Sequence, residues 1–221
     1  MQQTIQQGVL SLVYWDSFYA SGNNWGQPRP QILAIVDELQ RTFGAREIRI
    51  LELACGNGRY AIPFAELGAQ IDGVDFSEVA LAQLRARAEE RGIGNLIQSH
   101  CADVREFLIK PSWYHLVFAS GLFEYLGKDE LFTLIHDVQA GTVIQGVNAF
   151  VWLLQHPEAA TIPGEYPLVP GTIEDIYTFS PGWQVISSEA YLKEDYHPLE
   201  VNGGPQKHKH YVGRMIAKRT A

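Results

Sequence analysis

The chain has 221 residues, 46% of them apolar, and carries 25 acidic against 17 basic side chains for a net charge of −8. That composition excludes a disordered chain and argues against a nucleic-acid backbone or an anionic membrane as the main partner. Two cysteines rule out a disulfide framework, the N-terminal segment has no early Lys or Arg, and the apolar stretch 142–154 is broken by Gln145 and Asn148. The expectation is a soluble, cytoplasmic protein that works on a small molecule, with neither nucleic acid nor membrane as partner, as a monomer or homodimer.

In chain order, an aromatic-rich segment, YWDSFYASGNNWG, comes first, followed by a helix predicted over residues 31–43 with Pro30 near its start. IRILELA (48–54) reads as a short buried strand that ends in the turn CGNG. RYAIPFAELG (59–68) has helical spacing and stops at Gly68, and Pro63 inside it predicts a kinked first turn. QIDGVDFS (70–77) is a second strand. Ser77 caps the next helix, which ends at Gly92. LIQSHCAD (96–103) and YHLVFAS (114–120) are the third and fourth strands, then come the helix DELFTLIHDV and a fifth strand, VIQGVNAFVWL. Five prolines between 157 and 181 predict a loop, with one short helix at 172–178. WQVISSEAYL (183–192) and KHYVGRMIAKR (209–219) form an antiparallel hairpin on the sheet edge. Strands separated by helices imply an α/β fold with parallel pairing and a helix layer on each face. We expect one domain over 1–221: an N-terminal cap over 1–44, a cofactor-binding core over 45–155, and a substrate-side loop and hairpin over 156–221.

The segment ELACGNG (52–58) is the most informative. Gly56 and Gly58 let the backbone turn sharply and approach a ligand closely. Glu52 lies in the strand just before that turn, where a fixed carboxylate is awkward for a pyrophosphate but suits a cationic amino group. The third glycine of a dinucleotide fingerprint is also missing. Asp75 ends the second strand, in position to accept both hydroxyls of a ribose, and Asp103 ends the third, in position to accept from an adenine amino group with Val104 against the ring. Three acids at the ends of consecutive parallel strands describe a nucleoside with a positive tail.

With these residues the chain resembles the class I S-adenosylmethionine-dependent methyltransferases. The matching pieces are LELACGNGRYAIPFAELG, GVDFSEVALAQLRARA, CADVREF and FASGLFEYLGKDEL. The resemblance implies a Rossmann-like fold with a mostly parallel seven-stranded sheet and a C-terminal antiparallel hairpin. It implies S-adenosylmethionine as cofactor, with Glu52 on the methionine end, Asp75 on the ribose and Asp103 on the adenine. Ala54, Gly56, Gly58, Phe76, Val104, Ser120 and Trp25 complete the expected cofactor site. Ala54 stands where the family has its usual first glycine. A narrower resemblance, to the TehB-like tellurite-resistance methyltransferases, rests on WDSFYASGNNWGQPRP, PGTIEDIYTFSPGWQVISSEAYLKED and HYVGRMIAKR. Those enzymes bring histidine and arginine from the C-terminal segment toward the substrate. The nearest counterparts here are His197 and the Lys207–His210 cluster, and the arginine beside His197 is replaced by Pro198.

Methyl transfer from an activated sulfonium mainly requires alignment of the nucleophile and exclusion of water. A soft selenium, tellurium or thiolate atom needs little base, whereas an amine or oxygen needs one, for which His197 or His210 is the candidate. Tyr125, with Phe123, is expected to face the methyl group or the adenosine side, and Ser120 and Gly121 to shape the floor. Tyr14, Trp15, Tyr19 and Trp25 read either as an aromatic lid or as plain packing. Arg59 and Arg29 are candidates for anion contact, and Cys55 reads as packing filler. The histidines His197, His208 and His210 lack a zinc-site spacing, so no metal is expected. The rival readings are a nicotinamide-dependent oxidoreductase and a non-catalytic nucleoside-binding partner protein.

Overall fold

The computed structural model describes residues 12–22, 26–44, 47–160, 168–197 and 206–221, with the backbone alone at His197. Residues 12–20 are helical (α1). The remaining elements are α2 (Pro30–Phe43), β1 (Arg49–Leu53), α3 (Ala61–Glu66), β2 (Gln70–Asp75), α4 (Glu78–Glu90), β3 (Ile97–Cys101), β4 (Tyr114–Ser120), α5 (Lys128–Gly141), β5 (Thr142–Leu154), α6 (Thr172–Thr178), β6 (Trp183–His197) and β7 (Gln206–Arg219). The seven strands form one sheet in the order β3-β2-β1-β4-β5-β7-β6, parallel except where β7 pairs with β5 and β6. The parallel α/β layers are those that the strand–helix alternation predicts, and the Rossmann-like seven-stranded sheet with its antiparallel hairpin is the one that the resemblance implies.

Side-chain alternation along the strands divides the core in two. Ile50, Leu116 and Phe118 pack with Ile32, Val36, Phe64 and Leu84 of α2, α3 and α4 on one face. Leu51, Val117 and Ala119 pack with Leu131, Ile135 and Ile173 of α5 and α6 on the other. The cap read at Ser77 is present: its hydroxyl accepts from the Ala80 N–H at 3.2 Å. The kink predicted at Pro63 is not needed. The helix starts at Ala61, so proline occupies the first turn, where its missing N–H would have no intrahelical acceptor.

The hairpin is longer than its apolar pattern suggests. Beyond Leu192 the pairing continues through Lys193↔His210, Asp195↔His208 and Tyr196↔Lys207. Backbone hydrogen bonds do not depend on side-chain polarity, so a polar KEDY segment can extend a ladder that an apolar neighbour has already registered. The extension carries a set of charged side chains past the C-terminal end of β5. No helix among the described residues is long and apolar enough to cross a membrane.

Candidate functional site

Strand order reverses direction between β1 and β4, and in open parallel sheets a ligand crevice forms outside the strand ends at such a point. A cavity of about 440 Å³ opens there, within the usual range for small-molecule sites. Its walls come from the ends of β1, β2 and β4, from α1, and from the extended part of the β6–β7 hairpin.

The glycine turn forms the floor. Gly56 and Gly58 have φ of 52° and 85°, and a side chain on Gly58 would collide with Leu84 and Ile62. Asp75 braces the turn: one carboxylate oxygen accepts from the Gly56 N–H at 2.8 Å and the other from the Ser77 N–H at 2.9 Å. Burial raises the pKa of this carboxyl, while those two N–H groups pull it back down. Ala54 lies in the left-handed region at φ 55°, which costs an L-residue roughly 1–2 kcal/mol. Ala54→Gly is therefore expected to stabilise the protein by up to about 1 kcal/mol, after the greater chain entropy of glycine is subtracted. A denaturation midpoint that falls instead would contradict the strain.

Among the described residues, the buried side-chain polar atoms without a partner are Glu52 Oε2, Glu124 Oε2 and Trp152 Nε1. All three residues line this one cavity. Glu52 and Glu124 are each 3% exposed. Desolvation, followed by the charge of Asp75, holds Glu52 well above the usual carboxylate range. Desolvation likewise pushes Glu124 up to about 7, against the opposing N–H groups of Glu124 itself and Leu153.

A carboxyl whose pKa is raised by folding favours the native state while it is protonated. Glu124 thus contributes its full stabilisation below the unfolded value near 4.5, and that stabilisation is lost as pH climbs through about 7. The loss between pH 5 and pH 8 is about 2–3 kcal/mol. Chemical denaturation at those two pH values should show a smaller drop for Glu124→Gln than for the wild type by that amount. Equal slopes would mean the carboxyl is not desolvated.

Glu52, Ala54, Asp75, Phe76, Ser120, Tyr125 and His210 all line the cavity, as does Gly121. Gly56 and Gly58 lie in the turn whose Ala54, Cys55 and Asn57 form the lining and are not themselves part of it, and Asp103 and Val104 do not line it either. Asp103 is instead gripped by Arg105, whose Nε donates to Oδ1 at 2.9 Å and whose Nη1 reaches Glu130 at 3.0 Å. Trp25 lies outside the described residues, and for His197 only the backbone, opposite Gln206, is described. Phe123 does not face the cavity as expected. In the tight turn Phe123–Tyr125 successive side chains diverge by about 120°, so Phe123 enters the core against Phe150 at 4.8 Å while Glu124 and Tyr125 meet the cavity. Tyr125 is 38% exposed and meets the cavity as a neutral phenol at ordinary pH.

Helix α1 closes one side. Ser77 Oγ donates to Asp16 at 2.6 Å and Gln83 Nε2 to the Tyr19 carbonyl at 2.8 Å. These bonds hold Trp15 and Tyr19 over the glycine turn, with Trp15 edge-on to Tyr125 at 5.8 Å. The aromatic stripe is thus both packing and cavity wall. Arg59 is tied to the Gln27 carbonyl at 2.9 Å, and Arg29 donates to the Tyr191 hydroxyl. Cys55 is buried, fits over Gly73, and its thiol pKa is raised by desolvation, then by Asp75 and Glu52. It is filler and not a nucleophile. His208 and His210 face each other through Nε2 atoms 3.0 Å apart, and no metal-holding group of three or more His, Cys, Asp or Glu occurs among the described residues.

Two features escaped the sequence reading. Lys193 and Asp195, paired at 2.6 Å, reach the cavity only because the hairpin extends. Glu124 had a signal: an acid flanked by Leu122, Phe123, Tyr125 and Leu126 is an unlikely residue to bury without a task.

Comparison with known proteins agrees with this geometry. Residues 50–142 match the methyltransferase-domain family. The probable S-adenosyl-L-methionine-dependent methyltransferase TehB of Haemophilus influenzae is 21% identical over 172 residues, which span 77% of this chain and 57% of that protein. Its crystal structure superposes with a TM-score of 0.66 at 20% identity, covering 84% of this chain and 62% of the other. A tRNA 5-carboxymethoxyuridine methyltransferase of Escherichia coli is 26% identical over 204 residues, covering 79% and 77% of the two chains. A shorter match, 37% identical over 65 residues, is to a 23S rRNA uracil methyltransferase of Shewanella amazonensis and spans 29% of this chain and 14% of that protein. Magnesium protoporphyrin IX methyltransferase from Synechocystis, solved with bound S-adenosylmethionine, superposes with a TM-score of 0.63 at 16% identity over 96% and 97% of the chains.

Proposed function

We propose that this chain, a class I S-adenosylmethionine-dependent methyltransferase by its fold and domain sequence, methylates a small molecule. The observation that carries the reading is the unpartnered, buried carboxylate oxygen of Glu52, set beside a glycine turn at the strand switch point. An orphaned buried acceptor is costly in itself, and a cationic ligand group removes the cost. S-adenosylmethionine offers such a group in its methionine ammonium, and its sulfonium supplies an activated methyl. In this reading Glu52 holds the ammonium, Asp75 accepts from the ribose while bracing the turn, and Ala54, Gly56 and Gly58 allow close backbone approach. Phe76 and Ser120 flank the same space, with Trp25, Asp103 and Val104 assigned to the adenosine end. Release of Asp103 from Arg105 is then part of cofactor binding. Trp15 and Tyr19 exclude water, and Tyr125, His210 and His197 are assigned to the acceptor side.

Within that reading the narrower acceptor is a soft nucleophile, a thiol, selenium or tellurium compound. The likeness to TehB supports it, as does the engagement of the cations that line the cavity among the described residues: Lys193 is held by Asp195, Arg29 donates to the Tyr191 hydroxyl and Arg59 to the Gln27 carbonyl. Two free thiols, Cys55 and Cys101, suit a reducing cytoplasm. A second reading, an RNA acceptor, takes its support from the likeness to the tRNA enzyme. Against it, Lys207 and Lys209 near the cavity mouth are paired with Glu194 and Glu158, and the net charge is −8.

Calorimetric titration with S-adenosylmethionine and S-adenosylhomocysteine tests the proposal. Micromolar binding is expected, and no heat at millimolar ligand would sink it. Methyl incorporation into tRNA transcripts, with none into small thiols or selenium compounds, would transfer the reading to RNA.

A further inference from the structure

The three orphaned polar atoms of the cavity do not all belong to the methyl donor. Glu52 lies at the end of β1 beside the glycine turn, and the donor's ammonium accounts for it. Glu124 comes from a different wall, the turn that follows β4. Phe123 anchors that turn in the core against Phe150 and Trp152, which fixes the direction in which Glu124 leaves it. Gly121, at φ 72°, lines the cavity beside Glu124, whose Oε1 lies 3.8 Å from where a side chain on that glycine would begin. The other oxygen, Oε2, is buried without a partner.

The neighbouring groups are otherwise engaged. Lys193 and Asp195 on β6 neutralise each other, and His210 on β7 faces His208. Arg29 contacts Tyr191, Arg59 the Gln27 carbonyl, and Asp75 on β2 the glycine turn. Among the described residues, the remaining titratable groups lining this space are Tyr125 beside Glu124, Tyr19 from α1, Glu52 from β1, Cys55 and Tyr60 around the glycine turn and Tyr196 on β6, with Tyr14 close to Tyr125.

We propose that Glu124 is a catalytic residue that takes the proton of a thiol acceptor bound between it and the glycine turn, an inference that rests on the methyl-transfer reading above. The S–H proton passes to Glu124 Oε2. The electron pair left on the acceptor sulfur forms the new S–CH₃ bond, and the pair of the broken C–S bond stays on the donor sulfur, which becomes a neutral thioether. Charge balances: the donor loses its positive charge and Glu124 its negative one. A group poised near 7 is matched to this task. A thiol is largely protonated at neutral pH while the thiolate is the nucleophile, so a carboxylate placed to take the proton supplies what the acceptor sulfur lacks.

The test compares wild type with Glu124→Gln on two probes, ethanethiol and dimethyl selenide, the second of which has no proton to lose. Binding of S-adenosylhomocysteine is measured first in both proteins and should be equal, since Glu124 does not hold the donor. Ethanethiol methylation should then fall by about a hundredfold or more in the variant, with dimethyl selenide methylation within twofold of wild type. Independently of turnover, the infrared difference spectrum of wild type minus variant should contain a buried carboxylic C=O band that disappears as pH rises through about 7. An unchanged thiol rate, a fall shared equally by the selenide, a wild type that methylates no thiol, or a wild type without the band would each overturn the role of Glu124. Absence of S-adenosylhomocysteine binding in wild type would instead remove the methyl-transfer reading on which it rests.

Discussion

Asp75→Ala should lower affinity for S-adenosylmethionine about a hundredfold and destabilise the protein without ligand. Two independent consequences meet in one carboxylate. A charged acceptor for ribose hydroxyls is lost, and hydrogen bonds of that kind are worth roughly 1.5–3 kcal/mol each. The N–H groups of Gly56 and Ser77 also lose the oxygens they donate to at 2.8 and 2.9 Å. Leaving two buried donors unsatisfied costs about 1–3 kcal/mol apiece, partly offset because a buried charge disappears, for a net loss near 2 kcal/mol. Asp75→Asn retains one carbonyl acceptor and should fall between wild type and alanine on both scales. Calorimetry and urea denaturation measure the two effects. An alanine variant that binds with unchanged affinity would detach Asp75 from the ligand and leave it only the turn to brace.

Glu52→Gln should move the same two quantities in opposite directions. Without ligand the wild-type carboxyl is buried, has an oxygen with no partner, and feels the like charge of Asp75. Replacing it by a neutral amide of the same shape should stabilise the empty protein by about 1–2 kcal/mol at pH 8, where the charge is most costly. Affinity for S-adenosylmethionine should nevertheless fall about ten- to a hundredfold, because a charge-assisted bond to the ammonium becomes a neutral one. This opposition is the signature of a residue kept for binding at the expense of stability. A variant that loses both stability and affinity would assign Glu52 to the scaffold instead.

Both carboxylates were legible from the chain alone, for a local reason. Each lies within one residue of a strand end, and strands of five or six apolar-rich residues bounded by glycine turns announce themselves without knowledge of their neighbours. The Ser77 cap, the short helix at 172–178 and the hairpin on the sheet edge were readable in the same way. Ala54 was visible as a departure from the glycine usual at that place, and the structure attaches to it a left-handed φ of 55°.

The rest of the cavity was legible only in part, and particular residues explain why. Asp103 occupies the expected strand end, yet Arg105, two positions on, takes its carboxylate in a contact that depends on how the loop after β3 folds back. Phe123 enters the core and Glu124, for which no role was read, meets the cavity, because a three-residue turn rotates neighbouring side chains apart. Lys193 and Asp195 reach the cavity through a ladder that outlasts its apolar pattern, where they join His210 of the strand read from the sequence.

The sequence by itself determined the order and type of the elements, the glycine turn and the acids at the strand ends. Periodicity, capping and backbone freedom act over a handful of residues, and those residues are adjacent in the chain. Only the tertiary structure decided which charges share one cavity, which of them neutralise each other, and which are left without a partner. Those outcomes are set by strand register and desolvation among groups as far apart in sequence as Glu52 and His210.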